Sequence, residues 1–445
     1  MNNDDASVSV QARIGRRNFL GAGIAATLGG GGLSMAALNE GRAATGEPIK
    51  VGAAVPLTGF AAADGLEIKR GLEMAWSEIN DAGGILGRPV ELVIEDTKEF
   101  GAENVNTAIQ RLIERHGVSA IVNAYNLGAE TSEYEAVADA GIIYIHHNTD
   151  IIHHSTIAKD PKRYFGIFMG DPAEYWYGEG LLKFLNDLAN SGKVKFAKKT
   201  LALISGGQNY SITIANAIAD NLGKYGWTTT VKDTLGAQIS EWGPTIQKLR
   251  NDPPEVVAIT HWVPQDLAQF MIQFVPNPVN SLIYMQYGPS IPAFRKIGKE
   301  AVNGIIYSTV VATLPDEIGG DFTIRYQAKY GKDAVALTAG MGYDSAHYLA
   351  VSAAVAGGLG AKGNAQQNQK VAAVLKKMIY RGVNGTTRFF DKFQAAVPYP
   401  DATRDPSLGM PHQFLQIQDF RQDPVVIAPF PYETSAFKQP PWFKT

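Results

Sequence analysis

The sequence predicts an α/β fold made of two doubly wound parallel-sheet lobes, joined by a hinge that the chain crosses more than once. Three observations carry this. Short, uninterrupted apolar segments alternate with segments of helical period, the series runs twice in succession, and the final third holds too few apolar strands for a third sheet. The 445 residues, 45% of them hydrophobic, are enough for more than one full-sized core.

In the first series "IKVGAAVPL" reads as a strand, and Leu72, Ala75, Trp76 and Ile79 recur at helical spacing until "NDAGG" stops the helix. "VELVIEDT" is the next strand. Val105, Ala108, Ile109, Leu112 and Ile113 mark a helix closed by Gly117, followed by the strand "VSAIVNAY", a helix over 129–140 and the strand "GIIYIHH". The grammar restarts near Lys199 with "TLALIS", a helix from Ser211 to Lys224, "TTTVKDTL", a helix around Ile246 and Leu249, "EVVAIT", a helix from Asp266 to Phe274, "LIYMQY" and "GIIYSTVV". The last third offers the helix-like "GMGYDSAHYLAVSAAVAGG", a Gln/Asn-rich loop, another short helix and one strand candidate, "HQFLQIQD". Its helices have to cover one of the two sheets.

Composition narrows the function. With 19% charged residues and a net charge of −3, nothing calls for nucleic acid or an anionic membrane as partner. The absence of cysteine excludes disulfides, Cys-ligated metals and thiol catalysis. Residues 1–44 have the layout of an export signal: Arg16 and Arg17, then Phe19 and Leu20, a weakly apolar Gly/Ala run, and small residues at Gly41, Ala43 and Ala44. This stretch resembles the twin-arginine signal family through its R-R-x-F-L core, with Gly15 and Gly21 departing from the usual flanks. Cleavage is expected near Ala43 or Ala44, and no later apolar run reaches the roughly 20 residues that span a bilayer. The expected location is the periplasm.

No G-x-S-x-G elbow, Walker loop, H-E-x-x-H or dinucleotide fingerprint follows a strand, so the sequence is read as a non-enzyme without a cofactor. Open parallel sheets bind ligands beyond the carboxyl ends of their strands. Those ends carry Tyr125, Asn126, Leu127 and Gly128 after the third strand and Asn148, Thr149 and Asp150 after the fourth, polar loops near helix starts. In the second series they carry Tyr210, Trp262, Gln286 and Tyr287, aromatic walls with a few polar groups. Trp262 and Tyr210 also suit packing under a loop, and Asn126 and Asn148 also suit turn geometry. Tyr343 and Asp344 read as a cap or hinge at a helix start.

One segment competes for a different chemistry. "HHNTDIIHH" at 146–154 concentrates half of the eight histidines around Asp150. His146 and His147, adjacent in a strand, point to opposite faces, so a metal would need one histidine from each pair plus Asp150. The alternative is that Asn148 to Asp150 form the rim of a cleft, with the histidines as framing groups that tune binding near pH 6 to 7.

The run "IKVGAAVPLTGFAAADGLEIKRGLEMAWSEINDAGGILGRPVELVIEDT" resembles the amino-terminal stretch of periplasmic substrate-binding proteins of the branched-chain amino acid and amide class of ABC importers. Its P-x-[ST]-G turn, G-x-x-x-A-x-x-x-I-N helix, G-G-I-x-G turn and acidic strand end have counterparts here in order, and the likeness extends over residues 48 to about 430. The resemblance implies a type I periplasmic binding protein fold, with lobes at 45–168 plus 313–412 and 169–312 plus 413–430, and a tail at 431–445. It implies a receptor that closes on a small polar or carboxylate-bearing ligand and delivers it to a permease and ATPase; the rival readings are a metal-binding protein or metalloenzyme built on the 146–154 cluster and a ligand sensor for a signalling partner. Amino acid binders of the class place a carboxylate after the fourth strand of the second lobe, where this chain has "YMQYGPS". The expectation is therefore that Asp150 or Asp344 takes over that role, or that the ligand is an amide, a urea-like compound or an aromatic acid. Phe60 and the alanines at 61–63 leave room for a bulkier ligand.

Overall fold

The computed structural model describes residues 44–59, 61–98, 101–123, 125, 131–236, 239–390 and 392–444. The export-signal reading of 1–43, Phe60, and the site candidates Asn126, Leu127 and Gly128 lie outside the described residues.

The first series folds as β1 (Ile49–Val55), α1 (Ala62–Asp81), β2 (Val90–Asp96), α2 (Ala102–Gln110), β3 (Ala120–Val122), α3 (Tyr134–Ala140), β4 (Ile143–His146), α4 (Ile151–Lys159) and β5 (Ile167–Met169). The second follows as α5 (Tyr175–Asn190), β6 (Thr200–Ser205), α6 (Asn209–Tyr225), β7 (Thr228–Thr234), α7 (Gly243–Asn251), β8 (Val256–Ile259), α8 (Pro264–Phe274), β9 (Leu282–Gln286), α9 (Pro292–Gly298) and β10 (Ile306–Thr309). Then come α10 (Glu317–Tyr330), α11 (Ala336–Ala356) and α12 (Ala365–Leu375).

Among the described residues both sheets have seven strands and share one order. The first runs from the short strands 389–390 and 395–396 through β5, β4, β3 and β1 to β2, and the second from 425–428 and 413–416 through β10, β9, β8 and β6 to β7. Strands β1 to β5 and β6 to β10 pair in parallel within their sheets, and 413–416 adds antiparallel to β10. Because later strands from the last third extend both sheets, the chain passes between them after β5, after β10 and again between 396 and 413.

Helix α1 buries Ile68, Leu72, Ala75, Trp76 and Ile79 toward the first sheet, the face its spacing predicts. It meets α11 at close range: a Cβ on Gly71 would stand 2.1 Å from the Ala339 carbonyl oxygen, so only glycine admits this crossing. Helix α11 is buried over most of its circumference, which makes it a core element of the first lobe rather than a surface cover. Tyr343 and Asp344 therefore sit mid-helix, not at a start. The Tyr343 hydroxyl donates to Glu78 on α1 (2.6 Å), and the Asp344 carboxylate accepts the Val383 and Asn384 backbone N–H groups at 2.8 and 3.0 Å. The tail packs on the second sheet: Gln416 Nε2 donates to the Lys438 carbonyl at 2.6 Å, and Trp442 Nε1 to that of Ser281 at 3.1 Å.

Candidate ligand-binding site

In each sheet the order reverses between two neighbouring strands, β1 and β3 in the first and β6 and β8 in the second, and such a reversal opens a crevice at the strands' carboxyl ends. Asn123 fixes the first crevice, its Oδ1 accepting the Ala54 N–H at 2.7 Å, and Tyr125 follows directly. Ser211 and Thr260 fix the second by exchanging hydroxyl-to-carbonyl hydrogen bonds at 2.9 and 2.8 Å. Beside them Trp262 Nε1 donates to Gln208 Oε1, and Tyr210 opens α6. Tyr287, just past β9, has a φ of 50°, an unusual backbone for a tyrosine and one that puts strain at this rim. Gly288 makes the turn possible, since a Cβ there would lie 2.3 Å from the Trp262 carbonyl oxygen.

These loops enclose a pocket with about 460 Å³ of empty space, its mouth included. Tyr125, His147, Asn148, Thr149 and Asp171 line it from the first sheet's strand ends, and Tyr210, Trp262 and Tyr287 from the second's. Tyr177 on α5, Val311 after β10 and Met341 on α11 complete the wall from the crossing segments and the last third. An aromatic surface with a few convergent polar groups is what a small-molecule site requires.

The electrostatics are one-sided. Asp171 is fully buried, and burial pushes its carboxyl up to about 7 despite a 2.7 Å hydrogen bond donated by Thr149 Oγ1. Its other oxygen, Oδ1, has no hydrogen-bond partner, and His147 Nδ1, 3.9 Å away, has none either. Behind the wall the Tyr125 hydroxyl donates to Asp64 in the first turn of α1, with Tyr287 closing on the same pair, and burial raises Asp64 to about 6. Among the described residues no Lys or Arg lines the pocket. Gly170 lets Asp171 reach this position, because a Cβ there would fall 2.5 Å from the His147 ring.

Of the residues singled out in the sequence, Tyr125, Asn148, Thr149, Tyr210, Trp262 and Tyr287 come together in the lining. Asp150 does not, because its carboxylate caps α4 by accepting the Ile152 N–H at 2.8 Å. Gln286 stands behind the wall, fully buried, donating through Nε2 to the Tyr210 hydroxyl at 3.0 Å. Asp344 is held by the backbone N–H groups of 383 and 384. The carboxylate at the pocket is instead Asp171, and it stands just past β5 of the first sheet.

Gln286 belongs to a buried line of side chains. Asp401 bonds His412 at 2.8 Å, His412 bonds Ser308 at 2.9 Å, Ser308 bonds Tyr284 at 2.7 Å, and Tyr284 donates to Gln286 at 2.5 Å. The first three have the composition of a hydrolase triad. Ser308 is fully buried, however, shares its oxygen with Tyr284 and does not line the pocket, so the line positions Tyr210 rather than presenting a nucleophile.

The histidine cluster resolves into two faces. His146 turns away from the pocket, where Tyr134 Oη bonds both His146 Nε2 (2.6 Å) and His153 Nδ1 (2.8 Å), while His153 Nε2 bonds the Phe393 carbonyl at 2.7 Å. His154 stacks on Phe393 with ring centroids 4.3 Å apart. His147 faces the pocket and bonds Ser345 Oγ at 2.8 Å. With His146 and His153 tied to Tyr134, His147 turned to the other face and Asp150 used as a cap, no group of three potential ligands among the described residues is arranged to hold a metal ion. The expected tuning near pH 6 to 7 does not come from these rings. Burial drives His147 and His153 down to about 3 and His154 to about 4, and it is the carboxyls that move toward neutrality, Glu133 rising to about 7 like Asp171.

A family model described as "Periplasmic binding protein" matches residues 48–399. The chain belongs to that family. This binding protein is 46% identical to the crystal structure of a putative branched-chain amino acid ABC transporter from Silicibacter pomeroyi, with a TM-score of 0.87 over 89% of this chain and 100% of that one. The substrate-binding protein LivJ of Streptococcus pneumoniae, solved in complex with isoleucine, shares the fold at 19% identity and a TM-score of 0.66, covering 86% of this chain and 100% of its own. Among curated relatives, Leu/Ile/Val-binding protein homolog 1 of Brucella abortus is 29% identical over 127 residues, 28% of this chain and 31% of that protein, so the match spans about a third of its length. Leu/Ile/Val-binding protein BraC3 of Rhizobium johnstonii is 24% identical over 332 residues, 74% of this chain and 83% of the relative. The family is one of solute-binding proteins, and no helix among the described residues is long and apolar enough to cross a membrane.

Proposed function

We propose that this binding protein is an extracytoplasmic receptor that captures a small polar molecule between its two sheets, closes over it, and hands it to the permease and ATPase subunits of an ABC importer. One observation carries this reading: the pocket draws its walls from the carboxyl ends of both sheets at their switch points, with Tyr125 on one side and Tyr210 and Trp262 on the other. A ligand bridging two sheets gains contacts on closure that neither sheet offers alone, and that difference drives a hinge. The lobes that move are 45–168 with 313–412 and 169–312 with 413–430, and the chain's passages between the sheets form the hinge. The signal-like 1–44 segment carries the protein across the inner membrane by the twin-arginine route, leaving a periplasmic mature chain. The relatives' names, which speak of leucine, isoleucine and valine, support amino acids as the first solutes to try. Mass spectrometry of molecules released from natively purified protein tests capture, and small-angle scattering tests closure. An unchanged radius of gyration for a saturated complex refutes the hinge.

A further inference from the structure

Resting on the receptor reading, we propose that the ligand is a cation with an alkylated ammonium head, held by the Asp171 carboxylate within a cage of aromatic rings. The charge around the pocket has one sign. Asp171 lines it, Asp64 stands behind Tyr125, and Glu174, three residues past Asp171, is buried with an unbonded carboxyl oxygen of its own. Among the described residues no Lys or Arg lines the pocket, and the sequence of 124–130 contains neither. An anionic ligand would bring its charge against buried carboxyls without a countercharge, whereas a cation supplies the one that is missing.

Two further features select an alkylated head over a bare ammonium. Five aromatic rings, those of Tyr125, Tyr177, Tyr210, Trp262 and Tyr287, line one small pocket, and the faces of such rings attract a cation whose alkyl groups also need burial. A primary ammonium has three N–H donors to satisfy, and the polar groups of the wall are largely tied to one another: Thr149 Oγ1 donates to Asp171 Oδ2, the Tyr125 hydroxyl to Asp64, and Gln286 Nε2 to the Tyr210 hydroxyl. What stays open is Asp171 Oδ1, fully buried and on the pocket wall, with His147 Nδ1 across from it. One carboxylate and an aromatic enclosure suit a head that needs countercharge more than hydrogen bonds.

The test is a thermal-shift and calorimetric titration of the purified protein with choline, tetramethylammonium chloride, leucine and benzoate, each to about 10 mM with sodium chloride as the ionic control. Saturable stabilisation by choline and tetramethylammonium is expected, with affinity falling at least about tenfold in Asp171→Asn and in Trp262→Leu. The second variant lies on the opposite sheet, so the result does not depend on how one substitution folds. A response to leucine or benzoate without one to the ammonium compounds overturns the cation and leaves the receptor standing. No response to any of the four overturns the cation as well, and the receptor is then judged by the molecule it releases. Choline binding unchanged in Asp171→Asn removes that carboxylate from the site.

Discussion

Asp171 Oδ1 and His147 Nδ1 face each other across 3.9 Å at the pocket wall, both buried and neither hydrogen-bonded. The arrangement is held from outside: Thr149 bonds the other Asp171 oxygen, Ser345 the other His147 nitrogen, and Gly170 gives the histidine its space. Two strand ends of one sheet thus present an acid and an imidazole with one free position each.

That geometry makes ligand-free stability depend on pH with a definite sign. Burial places Asp171, Glu133 and Asp344 at about 7 and Asp64 at about 6, above their ordinary values, so they favour the fold when protonated and that stability is lost as pH rises through those values. The buried histidines His147, His153 and His154 and the half-buried His347, lowered to about 3 or 4, act oppositely, losing stability as pH falls below 6.5 toward 3 to 4. The two sets oppose each other between about pH 4 and 6.5, and above that only the carboxyls still titrate. The Tm measured by calorimetry should therefore fall between about pH 6.5 and 8, and Asp171→Asn should flatten the fall. A rising Tm over that interval would mean the acids are already ionised in the fold.

Binding of a cation should show the reverse trend. Asp171 is faced by His147 and Thr149 from the β4 end, by Tyr177 on α5 and by Tyr348 on α11, and of these only His147 is a base, held neutral by burial. Only the ionised carboxylate attracts a cation, so affinity for choline should weaken about tenfold per unit below pH 7 and level off above it. Titration at pH 6, 7 and 8 checks this, and a flat profile would exclude Asp171 as the countercharge.

Gly170→Ala should destabilise the protein by about 1–3 kcal/mol, because the added methyl meets the His147 ring and the Tyr348 hydroxyl at 2.5 and 2.8 Å. The substitution changes no pocket-lining side chain but displaces His147 and Asp171 relative to each other. Chemical denaturation gives the stability loss. A variant as stable as the parent would show that the ring shifts freely, contrary to its bond with Ser345.

Tyr134 is the hub of the buried histidines, and Tyr134→Phe removes the hydroxyl that bonds both rings, leaving His146 Nε2 and His153 Nδ1 only their 3.2 Å contact with each other. A loss of about 1–3 kcal/mol is expected, the penalty for weakening the bonding of buried polar atoms. Zinc or copper should stabilise neither form. A stoichiometric metal-dependent rise in Tm would revive the metal reading of "HHNTDIIHH".

How far the sequence reaches can be read from these residues. The alternation of strands and helices was legible because β1, β6, β8 and β9 are continuous apolar runs and α1 keeps its period, and the strand-end rule then led to Tyr125, Tyr210, Trp262 and Tyr287. Asp171 was missed because β5 is only three residues long, too short for any pattern, although an acid two positions after "IFM" was the signal available. His147 was noticed only as part of a cluster, since sequence does not tell which of two adjacent histidines faces the cleft. Tyr177 and Met341 reach the pocket from helices, outside any strand-end rule. Tyr343 and Asp344 were misread because α11, buried nearly all round, has no polar face to mark where it begins.

Asp344 allows a structural acid to be separated from a ligand-facing one. Like Asp171 it is raised by burial to about 7, but its two oxygens accept the N–H groups of Val383 and Asn384, tying α11 to the hairpin that 380–382 and 385–387 form. Gly382 is part of this contact, since a Cβ there would lie 2.3 Å from the carboxylate. Asp344→Ala should strand two buried donors and cost about 2–4 kcal/mol. Ligand affinity, measured by calorimetry on the fraction that remains folded, should stay within about twofold of the parent, since no Asp344 atom lines the pocket. Asp171→Asn should give the opposite pair of results, little loss of stability and a large loss of affinity. If Asp344→Ala instead weakened binding as much as Asp171→Asn, the mid-helix acid would be the substitute carboxylate that the sequence first proposed.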